Sequence, residues 1–137
     1  MATARDVMTP AAAILGESDS IATAAVMMRD LDVSSVPVCD PHGHLAGVLT
    51  EHDIVVRCLA AGWDPFATSS RELVDDDALA VSADEPVESA LLTMAVNHVR
   101  RLPVVDHGCL VGTLTDTDLA QALPDDALGL LFARRSA

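Results

Sequence analysis

The chain contains no lysine and no tyrosine, and its aromatic residues amount to Trp63, Phe66 and Phe132. With 21 acidic residues against 8 basic ones, the formal charge is −13 at pH 7, and a phosphate backbone would be repelled. So few rings also leave little on which single-stranded bases could stack. A nucleic acid partner is therefore not expected. Cysteine is scarce as well. Cys39, Cys58 and Cys109 form an odd set with no Cys-x-x-Cys pair, which argues against a secreted disulfide framework and for thiols in a reducing cytosol. Half of the residues are hydrophobic, but Asp, Arg, Pro and Gly interrupt them before any run could span a bilayer. The opening residues, Met1 to Asp6, carry no secretory or lipid-attachment pattern, so a soluble cytoplasmic protein without a membrane partner is expected.

What the chain does have is a repeat. Val36-Pro37-Val38-Cys39-Asp40-Pro41-His42-Gly43-His44-Leu45-Ala46-Gly47-Val48-Leu49-Thr50-Glu51-His52-Asp53 returns as Leu102-Pro103-Val104-Val105-Asp106-His107-Gly108-Cys109-Leu110-Val111-Gly112-Thr113-Leu114-Thr115-Asp116-Thr117-Asp118, with Pro41 as the one gap. Upstream the register holds: Ile21, Ala24, Met28 and Val33 meet Val87, Ala90, Met94 and Val99. A unit of about sixty residues is marginal alone, so the halves are expected to share a core.

Each repeat reads as a short strand, a helix, a β-hairpin and a helix. In the first, Ala13–Leu15 is the strand, Ile21 to Leu31 an amphipathic helix capped by Ser20 or Asp19, and Val36–Cys39 with Leu45–Leu49 the hairpin. A helix from about Glu51 to Ala60 follows. In the second, Ala78–Val81, a helix opened by Asp84-Glu85-Pro86, the hairpin 102–105 with 110–114, and a helix from Asp116 to Leu123 repeat the order. This gives repeats at 7–61 and 72–123, a linker at 62–71 and a helical tail at 124–137, with acids at the tail's start and arginines at its end. Trp63 and Phe66 in the linker call for burial, and Asp75-Asp76-Asp77 reads as a solvated loop.

The twice-written Gly-x-x-Thr-x-x-Asp, with the Val-Pro-Val and Leu-Pro-Val strands before it, resembles the cystathionine β-synthase (CBS) domain, and two in tandem resemble a Bateman module. The resemblance covers nearly the whole chain and is to stand-alone two-repeat bacterial proteins. It implies an α/β fold of two CBS repeats about a pseudo-two-fold axis, a homodimer, and clefts between paired repeats that take AMP, ADP, ATP or S-adenosylmethionine. By that resemblance Asp53 and Asp118 hold ribose hydroxyls and Thr50 and Thr115 contact ribose or phosphate. The chemistry is sound, since an ionised carboxylate accepts from a vicinal diol and a helix start offers amides to an anion. Arg100 and Arg101 stand where nucleotide-sensing members place a basic pair for phosphate. Ser34 and Ser35 replace that pair in the first repeat, and His52 stands where the second has Thr117, so the two sites are expected to be unequal. Glu51 and Asp116 add negative charge against a triphosphate.

Each feature also has a purely structural reading. Thr-x-x-Asp approximates a capping box whatever lies beside it. The arginines suit surface ion pairs, and Gly47 and Gly112 suit a bulge as well as a close ligand approach. Pro37 and Pro103 are read as strand starts at an edge. Cys39, His42, His44, His52, His107 and Cys109 match no standard zinc spacing, so no metal site is expected, and Cys58 is expected in the core. No nucleophile, base and oxyanion set converges, so catalysis is not expected. Three functions remain open: a cytosolic regulatory module that senses an adenosine ligand and signals to an unknown protein partner, a ligand-free interaction or stress-response scaffold, and, as the weakest of the three, redox or zinc control through Cys39 and its histidines.

Overall fold

A computed structural model describes residues 2–11, 13–74 and 79–124, and contacts divide the chain into two compact units. The expected tail helix and the Asp75–Asp77 loop lie outside the described residues. One unit is continuous, Ala12–Leu79. The other is split, joining Met1–Ala11 to Ala80–Ala137. Residues 7–11, expected to open the first repeat, thus pack with the second, and residues 72–74, expected to open the second, pack with the first.

In chain order the leading arm forms α1 (Ala4–Val7) and β1 (Thr9–Pro10). The continuous unit follows with β2 (Leu15–Gly16), α2 (Ile21–Leu31), β3 (Ser35–Cys39), β4 (Leu45–Thr50) and α3 (Glu51–Asp53). From α3 the chain runs on as a π-helix at Ile54–Leu59, where the Ala60 amide reaches back to the Val55 carbonyl at 2.8 Å. The split unit is completed by β5 (Val81–Ser82), α4 (Val87–Asn97), β6 (Arg101–Asp106), β7 (Cys109–Thr115) and α5 (Asp116–Ala122).

The sheet of the continuous unit has the order β2-β3-β4, and that of the split unit β1-β7-β6-β5. In both, the short strand is parallel to the first hairpin strand and the hairpin is antiparallel. On α2, Ile21, Ala24 and Met28 turn one face inward onto Val36, Val38 and Leu49, as the helical spacing predicts. Ser20 caps this helix by accepting from the Thr23 amide at 3.1 Å, and Asp32 ends it in the left-handed region at φ 52°. The α4 helix ends the same way at His98, φ 56°, a conformation that Asp and His adopt more readily than most non-glycine residues.

The exchange of leading segments obeys the repeat register, which extends further upstream than the hydrophobic pattern reveals. Thr3 and Asp6 form a capping box, and so do Ser69 and Glu72, their register mates. The Ala4 amide bonds the Glu85 carbonyl at 2.9 Å, and the Ser70 amide bonds that of Asp19 at 2.8 Å. Arg5 with Ala83 and Arg71 with Glu17 repeat the match, each at 3.0 Å. Ala4 and Ser70 are both fully buried, so each segment is part of the core it reaches.

Two expectations change. Trp63 and Phe66 are not buried, being 47% and 80% exposed. The Asp64–Thr68 turn closes on itself through the Ala67 and Thr68 amides and binds the start of α2 through Pro65 and Thr68 carbonyls, which leaves both rings outward. Pro37 and Pro103 lie within interior strands rather than at strand starts on an edge. The missing N–H is harmless because β2 and β5 are short: their pairing begins at Val38 and Val104, one residue beyond each proline. Gly47 and Gly112 sit at bulges, where the register shifts after Val38 and after Val104. At Gly112 a Cβ would also stand 2.8 Å from the Thr9 carbonyl oxygen, so this glycine admits the arm.

Candidate functional site

Thr50 ends β4 and Thr115 ends β7, each in extended backbone that turns at once into a helix. The Asp53 amide donates to the Thr50 hydroxyl at 3.1 Å, and the Thr50 amide donates to Asp53 Oδ2 at 3.1 Å. Thr115 and Asp118 make the same reciprocal pair at 3.1 and 2.9 Å. The capping-box reading therefore holds at both positions.

The remaining carboxylate oxygens have different neighbours. Asp118 Oδ1 accepts from the Thr9 hydroxyl at 3.3 Å, a donor brought in by the arm. Asp53 Oδ1 faces Arg57 Nη1 at 3.9 Å, one turn along the same helix, and that nitrogen donates to the Leu73 carbonyl at 2.7 Å. Neither Thr9 nor Arg57 stood out in the sequence. The match of Thr3-x-x-Asp6 with Ser69-x-x-Glu72 was the signal that would have brought in the arm.

The hairpin ladder places the basic pair. Arg101 is the cross-strand partner of Thr115, and the Asp116 amide bonds the Arg100 carbonyl at 2.9 Å. In the continuous unit Ser35 pairs with Thr50, and the Glu51 amide bonds the Ser34 carbonyl at 2.9 Å, so the serines occupy the arginines' places. Both arginine side chains are exposed. Among the described residues neither guanidinium is engaged in an ion pair, which leaves their charge available to an anion.

The amides at the start of α5 are another matter. Thr115, Asp116, Thr117 and Asp118 each already donate, to Asp118, Arg100, Asp116 and Thr115 respectively. An anion here would meet arginine side chains rather than free backbone N–H groups. Thr117 is exposed beside Asp118, and its counterpart His52 is exposed as well. Thr50 and Asp53 are thus gathered in one unit, and Arg100, Arg101, Thr115, Thr117 and Asp118 in the other.

Next to Thr50 in the continuous unit, an open groove of about 550 Å³ runs between α2 and the helix after β4, bordered by Met28, Arg29, Ser34, Glu51 and Val55. Among the described residues no three His, Cys, Asp or Glu side chains gather as metal ligands. Cys39 and Cys58 are buried, while His42 and His44 are exposed. Asp40 accepts from the His42 and His44 amides, each at 2.9 Å. Partial burial opposes ionisation of Asp40, but these bonds and the His44 imidazole outweigh it and hold the carboxyl below its ordinary value.

The repeat, its hairpins and its two Thr-x-x-Asp boxes coincide with the CBS domain family, whose model matches residues 4–59 and 71–125. The chain belongs to the CBS domain family. It is 38% identical over 128 residues to hypoxic response protein 1 of Mycobacterium tuberculosis, covering 93% of this chain and 90% of that protein. The CBS domain-containing protein YhcV of Bacillus subtilis is 34% identical over 120 residues, covering 88% and 84%. Among solved structures, that of hypoxic response protein I with two coordinated zinc ions superposes with a TM-score of 0.81 at 37% identity, covering 90% of this chain and 100% of that one. CBSX2 in complex with AMP gives 0.76 at 27% identity, covering 89% and 96%. This CBS pair is an α/β protein of the kind that the repeat implied. Among the described residues, no helix is long and apolar enough to cross a membrane.

Proposed function

We propose that this CBS pair is a non-catalytic regulatory protein that binds an adenosine-containing ligand, AMP, ADP, ATP or S-adenosylmethionine, in the cytoplasm and signals its occupancy to a protein partner. The observation that carries this reading is the assembly of Asp118, Thr115, Arg100 and Arg101 at one end of a hairpin: a carboxylate for a ribose diol beside two exposed cations for a phosphate. Thr117 adds an exposed hydroxyl. Thr50 and Asp53 form a second, weaker site without a basic pair. The AMP complex of CBSX2 supports the ligand class. The function is that of a homodimer, and the likeness to a hypoxic response protein supports a role in stress. Occupancy changes the partner's behaviour only if the ligand binds one geometry of the protein more tightly than another.

A panel of melting temperatures with AMP, ADP, ATP, S-adenosylmethionine and zinc tests the reading, since a ligand of the folded state alone raises stability according to its concentration over its affinity. A rise with an adenosine ligand that disappears in Asp118→Ala is expected. The second reading, a ligand-free interaction scaffold, draws on the amides already satisfied at α5 and on the exposed apolar residues Val55, Val56 and Leu59. It predicts no rise with any adenosine ligand. A rise with zinc alone would reopen the question of the cysteines and histidines.

A further inference from the structure

Asp118 receives a hydroxyl from a residue far away in the chain. Thr9 is presented by an arm that is held at several points: Ala4 is buried in the core, the Arg5 guanidinium bonds Asp106 Oδ2 at 2.8 Å, and Thr9 pairs with Thr113 on β7. Beyond Thr9 the Ala11 amide reaches the Val111 carbonyl at 3.3 Å. Such anchoring places the Thr9 oxygen by main-chain bonding rather than by the chance of a loop.

We propose that Thr9 is a positioning residue of the Asp118 ligand site. This rests on the adenosine reading above. Asp118 Oδ2 is held by the Thr115 amide at 2.9 Å and Oδ1 by the Thr9 hydroxyl at 3.3 Å, so the plane of the carboxylate is fixed from two sides. An ionised carboxylate has about four acceptor positions, and these two bonds use one on each oxygen. Among the described residues one acceptor position per oxygen is left, the number that the two hydroxyls of a ribose diol require. The Thr9 contact is longer than the roughly 2.5–3.0 Å usual for a hydroxyl donor, so it orients Oδ1 without saturating it. While donating to Asp118, the Thr9 oxygen keeps lone pairs that can accept from a ligand hydroxyl. The diol therefore meets a carboxylate already turned to receive it, and less freedom is lost on binding.

The test is isothermal titration of the full chain and of its Thr9→Val, Thr9→Ser and Asp118→Ala variants, each separately with AMP, ADP, ATP and S-adenosylmethionine. Ligand-free melting temperatures are measured alongside. Valine keeps the branched shape and the β1–β7 pairing while removing the hydroxyl, and serine keeps the hydroxyl. Thr9→Val is expected to weaken the bound ligand about tenfold with a ligand-free melting temperature close to wild type, Thr9→Ser to restore it, and Asp118→Ala to abolish binding. Wild-type affinity in Thr9→Val, with Asp118→Ala inactive, overturns the role of Thr9 and leaves the ligand reading standing. Equal loss in Thr9→Val and Thr9→Ser overturns it too, since shape rather than the hydroxyl would then matter. Binding of none of the four ligands by wild type overturns the adenosine reading itself and the role of Thr9 with it.

Discussion

The amide and the hydroxyl of Ser70 both donate to the Asp19 carbonyl, each at 2.8 Å, although Ser70 is fully buried. Its register mate Ala4 makes the amide bond to Glu85 without any hydroxyl. Ser70→Ala is therefore expected to keep the segment docked and to lower stability by about 1 kcal/mol, the net worth of one hydrogen bond. Chemical denaturation of the variant checks this. A loss of several kcal/mol would mean that the hydroxyl is needed to hold the segment at all.

Asp118 has two tasks that one substitution exposes together. Its carboxylate completes the capping box at α5, so Asp118→Ala should cost roughly 1 kcal/mol of stability without ligand, and it should also remove any nucleotide-induced rise in melting temperature. Asp53→Ala should cost a similar amount while leaving most of the nucleotide response. An undiminished response in Asp118→Ala would show that the ribose is held elsewhere.

Gly112 is where the arm comes closest to β7. A methyl group there would stand 2.8 Å from the Thr9 carbonyl and press on Met8, and backbone is the part that yields least. Gly112→Ala should destabilise by about 1–3 kcal/mol and loosen the arm, read as faster amide exchange at Thr9 and Ala11. Unchanged exchange would put the arm's anchorage upstream, at Ala4 and Arg5.

The tie between Arg5 and Asp106 responds to pH in a definite direction. The hydrogen bond from Arg5, aided by His107, lowers the Asp106 pKa below its ordinary value, and the same bond raises that of Arg5. A depressed carboxylate stabilises the fold above the unfolded pKa of about 4, and that contribution is lost as pH falls through the lower, folded value. The difference in melting temperature between wild type and Asp106→Asn should be small at pH 7, as for any exposed pair, and should shrink toward zero below about pH 4. A difference that grows on acidification would contradict the assignment.

Much of the fold and part of the site were written locally. Ile21, Ala24 and Met28 declare a buried helical face by spacing alone, and Thr50 with Asp53 and Thr115 with Asp118 declare helix starts because a capping box joins residues three apart. The difference in charge between the two candidate sites was equally plain, since Arg100-Arg101 and Ser34-Ser35 are read directly from the aligned repeats. Trp63 and Phe66 misled because hydrophobicity states a preference for burial but not whether a neighbour exists to provide it.

The sequence by itself determined the repeat, the order of elements in each copy, the capping boxes and the charge at each candidate site, all of which follow from periodicities and bonds spanning a few residues. The tertiary structure decided which leading segment completes which repeat, why Pro37 and Pro103 are tolerated inside sheets, and that Thr9 reaches Asp118. These depend on contacts between residues far apart in the chain. Nothing in a local pattern of side chains specifies which distant backbone will satisfy an amide or fill the space left by a glycine.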